Sequence, residues 1–226
     1  MNTTLKALGA LLTYPNTALR AALPEIAAAL QAERALRRSD KLALHALIDE
    51  LLAGEPLEVE EGYVSLFDRG RQTSLNLFEH VHGDSRDRGP AMVDLKQTYE
   101  RAGFLVVSSE LPDYLPMLLE FLSTRSTAEV REMLADCAYI LRTLGEGLRD
   151  RESRYAAVFA ALLSVAGEPG FAPERRVEPV PERSLDEEWL DAEVVFGPGA
   201  ARDCGTAAGA AAGSAIQPLH FMPKTQ

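Results

Sequence analysis

The sequence is poor in the residues that build metal and disulfide frameworks. Its two cysteines, Cys137 and Cys204, lie far apart and form no C-x-x-C pair. A four-thiolate zinc or iron–sulfur site made by this chain alone is excluded, and a secreted disulfide scaffold is disfavoured. No apolar run approaches the length needed to cross a bilayer. The opening stretch MNTTLKALGALLTYPNT holds one lysine, a short apolar patch and no small-residue cleavage signal. It reads as a first helix ending before Tyr14-Pro15, so a cytoplasmic protein without membrane insertion is expected. Positive charge is also short: 23 Lys and Arg stand against 34 Asp and Glu, for a net charge of -11 and a pI near 4.9. Such a surface repels phosphate backbones and anionic headgroups, which argues against nucleic-acid binding and suits a partner carrying Lys or Arg.

What is present is ordinary globular material, 46% hydrophobic and 25% charged. No strand alternation is evident, and helical periodicity recurs instead. Leu19, Leu23, Ile26 and Leu30 share a face after Asn16, a good N-cap residue. Leu44, Leu47, Ile48 and Leu51 follow in a helix starting near Ser39-Asp40 and closed by Gly54 and Pro56. Val59, Tyr63, Leu66 and Phe67 form a third stripe. Pro90 suits the first turn of a helix bearing Met92, Leu95 and Tyr99, with Gly103 past its end.

Asp113 is expected to N-cap a helix with Pro116 at N3 and with Leu115, Leu118, Leu119 and Leu122 facing the core. Ser126-Thr127-Ala128-Glu129 is a capping box. It opens a long helix with Val130, Leu134, Cys137, Leu141 and Leu144 on one side, which Gly145 and Gly147 should bend or end. Tyr155, Val158, Phe159 and Leu162 mark a last helix, stopped at Gly167. The expected fold is all-α, a single helical bundle over residues 1–166. Residues 167–226 form a Pro/Glu-rich and then Gly/Ala-rich tail with one apolar segment at 185–196, and this composition predicts flexibility.

Several clusters invite a chemical reading. Glu79-His80-Val81-His82-Gly83-Asp84 places two imidazoles and two carboxylates together, which suggests a small metal-binding or metal-delivery protein. On a helix, however, side chains at i and i+2 diverge by about 200°. His45 lies on another helix and His220 in the tail, so no third ligand is evident. Asp68, Arg69, Arg71, Glu79, Asp84, Arg86, Asp87 and Arg88 crowd the same region. Arginine forks beside aspartates suit partly buried ion pairs that fix a loop, and the aspartates would neutralise a phosphate site. Ser65, Ser74, Ser108 and Ser109 sit in no nucleophile-elbow pattern. Tyr63, Phe67, Tyr114 and Phe121 with Glu110 and Asp113 could instead offer apolar anchors and acids to an amphipathic or basic peptide. On spacing alone, core packing explains most of these aromatics better.

The run Tyr63-Val-Ser-Leu-Phe-Asp-Arg-Gly-Arg-Gln-Thr-Ser-Leu-Asn-Leu-Phe-Glu-His-Val-His-Gly-Asp-Ser-Arg-Asp-Arg-Gly89 resembles the core signature of nitrate reductase molybdenum cofactor assembly chaperones of the NarJ type. It continues through Ala91-Met-Val-Asp-Leu95 and Glu110-Leu-Pro-Asp-Tyr-Leu-Pro116. Tyr63-x-x-Leu66-Phe67 and Glu110-x-Pro112-Asp113 are also similar to two hallmarks of the broader TorD/DmsD redox-enzyme maturation chaperones. That group often has His after the Pro-Asp pair, where this chain has Tyr114.

The resemblance implies an all-α, non-catalytic protein with no cofactor of its own. Its partner would be the apo catalytic (alpha) subunit of a membrane-bound nitrate reductase, bound through that subunit's N-terminal region. The chaperone would assist insertion of the molybdenum cofactor and an iron–sulfur cluster before membrane docking, and proteins that deliver the molybdenum cofactor are further candidate partners. By this likeness Tyr63, Leu66, Phe67, Glu110, Asp113 and Tyr114 border a peptide groove. Asp68, Arg69, Arg71, His80, His82, Asp84, Arg86, Asp87 and Arg88 form a structural turn beside it.

Overall fold

The computed structural model describes residues 2–69, 71–83, 85–106 and 110–174. All belong to the first of the two units into which the chain divides, Met1–Val177. Asp84, Ser108, Ser109, the segment 185–196, Cys204 and His220 lie outside the described residues. The described part is all-α: ten helices, one 3₁₀ turn and no strand.

A helix that is apolar on every side must lie at the centre, and α10 (Ala156–Ala166) does: Ala156 to Leu163, Val165 and Ala166 are all buried. Its partly exposed Ser164 donates a 2.6 Å hydrogen bond to Asp40 Oδ2 on α3 (Arg38–Ala53). That carboxylate also accepts from the Arg37 N–H at the start of α3. Gly167, at φ 85°, terminates α10 in the left-handed conformation that glycine adopts without strain.

Around α10 pack α3, α8 (Thr127–Asp136) and α9 (Ala138–Asp150). A second layer pairs α1 (Asn2–Leu11) with α7 (Leu115–Leu122), and α2 (Thr17–Ala32) with α1 and α3. Gly9 allows the first of these approaches, since a Cβ there would sit 3.4 Å from both Leu119 Cβ and the Pro116 carbonyl. The outer elements are α4 (Pro56–Phe67), a 3₁₀ turn (Arg71–Thr73), α5 (Leu77–Val81) and α6 (Arg88–Arg101).

Local signals placed several termini well. The Asn16 side chain accepts from Leu19 N–H at 2.9 Å, and the Ser126/Glu129 capping box is complete. Three expectations need correction. The long helix breaks at Cys137 rather than at its glycines, so that Val130 and Leu134 on α8, and Leu141, Leu144 and Leu148 on α9, can each face α10. Gly145 is instead a packing hole inside α9: a Cβ there would lie 2.8 Å from Phe159 Cβ and would collide with the Phe171 ring. Finally, Tyr114 rather than Asp113 occupies the N-cap position of α7, which places Pro116 in the first turn at N2.

The two glycines of α9 therefore predict opposite outcomes. Gly145→Ala should destabilise the protein by about 1–2 kcal/mol, because overpacking costs more than the added helix propensity returns. Gly147→Ala, whose nearest neighbour would be Thr73 Cγ2 at 3.9 Å, should stabilise by about 0.5–1 kcal/mol. Urea unfolding of both variants checks this, and shifts of the same sign would contradict it.

Candidate functional site

The site begins with a short length of paired backbone. Asn76 and Tyr114 form an isolated antiparallel bridge, Leu115 N–H donates to the Leu75 carbonyl at 2.8 Å, and Leu77 N–H to the Asp113 carbonyl at 3.1 Å. The Asp113 side chain completes the join. It is wholly buried, and its Oδ2 accepts from Phe78 N–H at 2.9 Å. Asp113 therefore caps α5, a five-residue helix with no side-chain cap of its own, from far away in the sequence. Its Oδ1 is buried without a hydrogen-bond partner among the described residues. Burial pushes the Asp113 carboxyl above its ordinary value, while the Phe78 N–H and the Arg88 charge pull the other way.

The charged turn is held by similar means. Arg88 pairs with Glu79 at 3.3 Å, both partly exposed, while Asp68, Arg69, Arg71, Arg86 and Asp87 are exposed. To this partly buried pair the backbone bonds and the Asp113 cap add their hold. His80 Nε2 donates to the Ser74 carbonyl at 2.8 Å, and the His82 ring stands edge-on to Phe78 at 5.5 Å. Among the described residues no group of three His, Cys, Asp or Glu could hold a metal ion.

An aromatic block supports the other side. Tyr63 and Phe67 on α4 are buried, with ring centroids 4.9 Å apart, and both meet Tyr155. The Tyr63 hydroxyl donates to the Leu12 carbonyl at 2.8 Å and is coupled to the hydroxyl of half-buried Tyr114. Tyr14 packs edge-on against Tyr63 at 5.7 Å.

Between block and bridge lies a hollow of about 230 Å³ lined by Tyr14, Tyr63, Phe67, Asn76, Glu110 and Tyr114 among others. Glu110 and Tyr114 also line a neighbouring, more apolar hollow of about 400 Å³ between α1 and α7, with Ala10, Pro116, Met117, Glu120 and Lys6. The two share Glu110 and Tyr114 and make one groove, lined by three carboxylates, Asp68, Glu110 and Glu120, against the one cation Lys6, suited to an amphipathic chain bearing cations.

Of the six residues expected at a groove, four come together here: Tyr63, Phe67, Glu110 and Tyr114. Leu66 is half-buried on α4 and lines neither hollow, and Asp113 lies beneath as the cap. Tyr14, Met117 and Glu120 were not expected in the groove; Tyr14 enters by its packing against Tyr63, and Met117 and Glu120 through the α1–α7 packing.

Residues 14–161, which include the groove residues from Tyr14 to Glu120, match the family described as nitrate reductase delta subunit. The chain belongs to that family. It is 42% identical over 193 residues to the nitrate reductase molybdenum cofactor assembly chaperone NarJ of Escherichia coli K12, covering 82% of this chain and 81% of that one. It is 43% identical over 163 residues to the assembly chaperone NarW of the same organism, covering 72% and 68%. A solved structure from Archaeoglobus fulgidus, assigned as a redox enzyme maturation protein, shares the fold with a TM-score of 0.53 at 20% identity, over 72% of this chain and 91% of that one.

The buried cap separates two substitutions of this delta-family chain. Asp113→Ala should cost about 1–3 kcal/mol, since it leaves the partly buried Phe78 N–H without its acceptor. Asp113→Asn keeps an acceptor and buries no charge. Because the folded-state pKa of Asp113 lies above its unfolded value, the carboxylate form penalises the fold. Asn should therefore gain on wild type as pH rises from the ordinary carboxylate range through the raised value, and show no such gain below it. Urea unfolding across that range tests both. An Asn variant as unstable as Ala, or a gain that grows toward low pH, would contradict the assignment.

Proposed function

We propose that this chain is an assembly chaperone of a respiratory nitrate reductase. It binds the N-terminal region of the apo catalytic subunit in the groove at Glu110 and Tyr114, and has no catalytic role of its own. Bound there, it keeps the subunit open while the molybdenum cofactor and an iron–sulfur cluster are inserted, and holds back docking to the membrane partner. Both the cofactor and the cluster are cargo of the partner subunit. The reading draws on family membership, on relatives named as assembly chaperones, and above all on one observation. Glu110 and Tyr114 line both hollows of a groove whose apolar lining and acidic rim complement an amphipathic, basic peptide.

Binding to such a groove has a characteristic division of energy. Apolar anchors supply most of the affinity, and rim charges adjust encounter and orientation. The half-buried Tyr114 is the anchor in this site, and Glu110 is the rim charge.

Calorimetry with a synthetic peptide of the catalytic subunit's N-terminus tests this. Saturable binding is expected. Tyr114→Ala should weaken it by roughly 10- to 100-fold, as for a buried aromatic anchor. Glu110→Lys should weaken it by about 5- to 10-fold, and less at high salt. No binding to the peptide or to the apo subunit would refute the proposal.

A further inference from the structure

Beyond the groove, α4 carries a feature that its own fold does not use. Gly62 sits in the middle of the helix, exposed, and a Cβ built there would meet no atom within 4 Å. A glycine in a helix interior is destabilising relative to alanine, because it loses more backbone freedom on folding. Glycine usually occupies such a position where another chain comes close. Gly145 of α9 does so here, with Phe159 Cβ 2.8 Å from its would-be Cβ, although Gly147 of the same helix does not. Over Gly62 the space is open.

The surroundings say what could fill it. Gly62 lies in an open hollow of about 620 Å³ with Tyr14, Leu57, Val64 and Ser65. Leu57 is 66% exposed and Tyr14 41% exposed, so apolar surface is uncovered on this face. The same hollow is lined by three carboxylates, Glu58, Glu60 and Glu61, against the single cation Arg69. Tyr14 holds Glu60 in place through a 2.9 Å hydrogen bond from its hydroxyl. An acidic, partly apolar face with a backbone-depth gap suits a segment that brings Lys or Arg, one apolar side chain and a close-lying backbone. Tyr14 also lines the smaller hollow against Tyr114, so the face continues the groove.

We propose that the bound peptide does not end at Tyr114. Its cationic part crosses the outer face of α4, with its backbone against Gly62, an apolar residue over Leu57, and its Lys or Arg side chains among Glu58, Glu60 and Glu61. This rests on the peptide-binding reading above and extends the same site. A contact of this kind discriminates among peptides. The Tyr114 hollow selects an apolar anchor, and α4 selects the charge that flanks it.

The test uses the full chain and the same N-terminal peptide of the catalytic subunit, measured by calorimetry. Gly62→Gln places a side chain in open space on a helix that favours it, so its unfolding midpoint should rise above wild type. The same variant should weaken peptide binding by at least about tenfold. Glu58→Lys combined with Glu61→Lys should weaken binding and flatten its dependence on salt. Ala128→Gln, on the exposed start of α8, should leave affinity unchanged. If wild type binds and Gly62→Gln binds within about twofold of it, the α4 contact is overturned while the groove stands. If wild type does not bind the peptide, both fall.

Discussion

Asp113 carries a carboxylate into the interior, where it meets the end of a helix from another part of the chain. Burying that charge is unfavourable, as the upward shift of its pKa records, and one hydrogen bond to Phe78 N–H offsets part of the cost. The return is geometric. With α5 capped from outside, the loop around Leu75–Leu77 is paired to Asp113–Leu115, and Tyr114 and Glu110 are left facing a groove. Tyr99 reinforces the same loop from the other side by donating to the Pro112 carbonyl at 2.8 Å. Its ring packs with Phe104 and Phe121. Pro112 and Asp113 are thus held while their neighbour Tyr114 remains half-accessible.

Tyr63 and Phe67 take a different part from the one their aromatic chemistry first suggests. Both are buried, so they set the floor and depth of the hollow and offer little surface to a ligand. Their own support is Tyr155, just ahead of the central helix, which ties the groove to the most buried element of the fold. The accessible chemistry belongs to Glu110, Tyr114, Tyr14 and Glu120, on three different segments. A groove assembled from separate segments can open or tighten when a ligand draws them together, which suits the proposed chaperone role.

Much of this was legible in the sequence because much of it is local. Asn16, Ser126 with Glu129, and Gly167 act on residues within one turn of themselves, and the apolar stripes report the faces that are buried. The features that were misread are long-range. Asp113 has the composition of an N-cap and is one, but for α5, which no local pattern can indicate. Gly145 looks like a helix breaker until Phe171 is seen to occupy the space above it. In the charged turn the Arg88–Glu79 pair is present, and paired backbone and the Asp113 cap add to the hold. Within the groove, the resemblance pointed to residues on both walls, whereas Tyr14 entered by packing on Tyr63 and Glu120 through the packing of α1 against α7.

The central claim is that the paired loop and α1 form the walls of a peptide site. Amide hydrogen exchange, measured on the chain alone and with the N-terminal peptide of the catalytic subunit, tests it most directly. The account predicts added protection at Ala10–Thr13 and at Glu110–Met117, with α8 and α9 unchanged. Protection appearing on α8 and α9 instead, with none at Glu110–Met117, would contradict it.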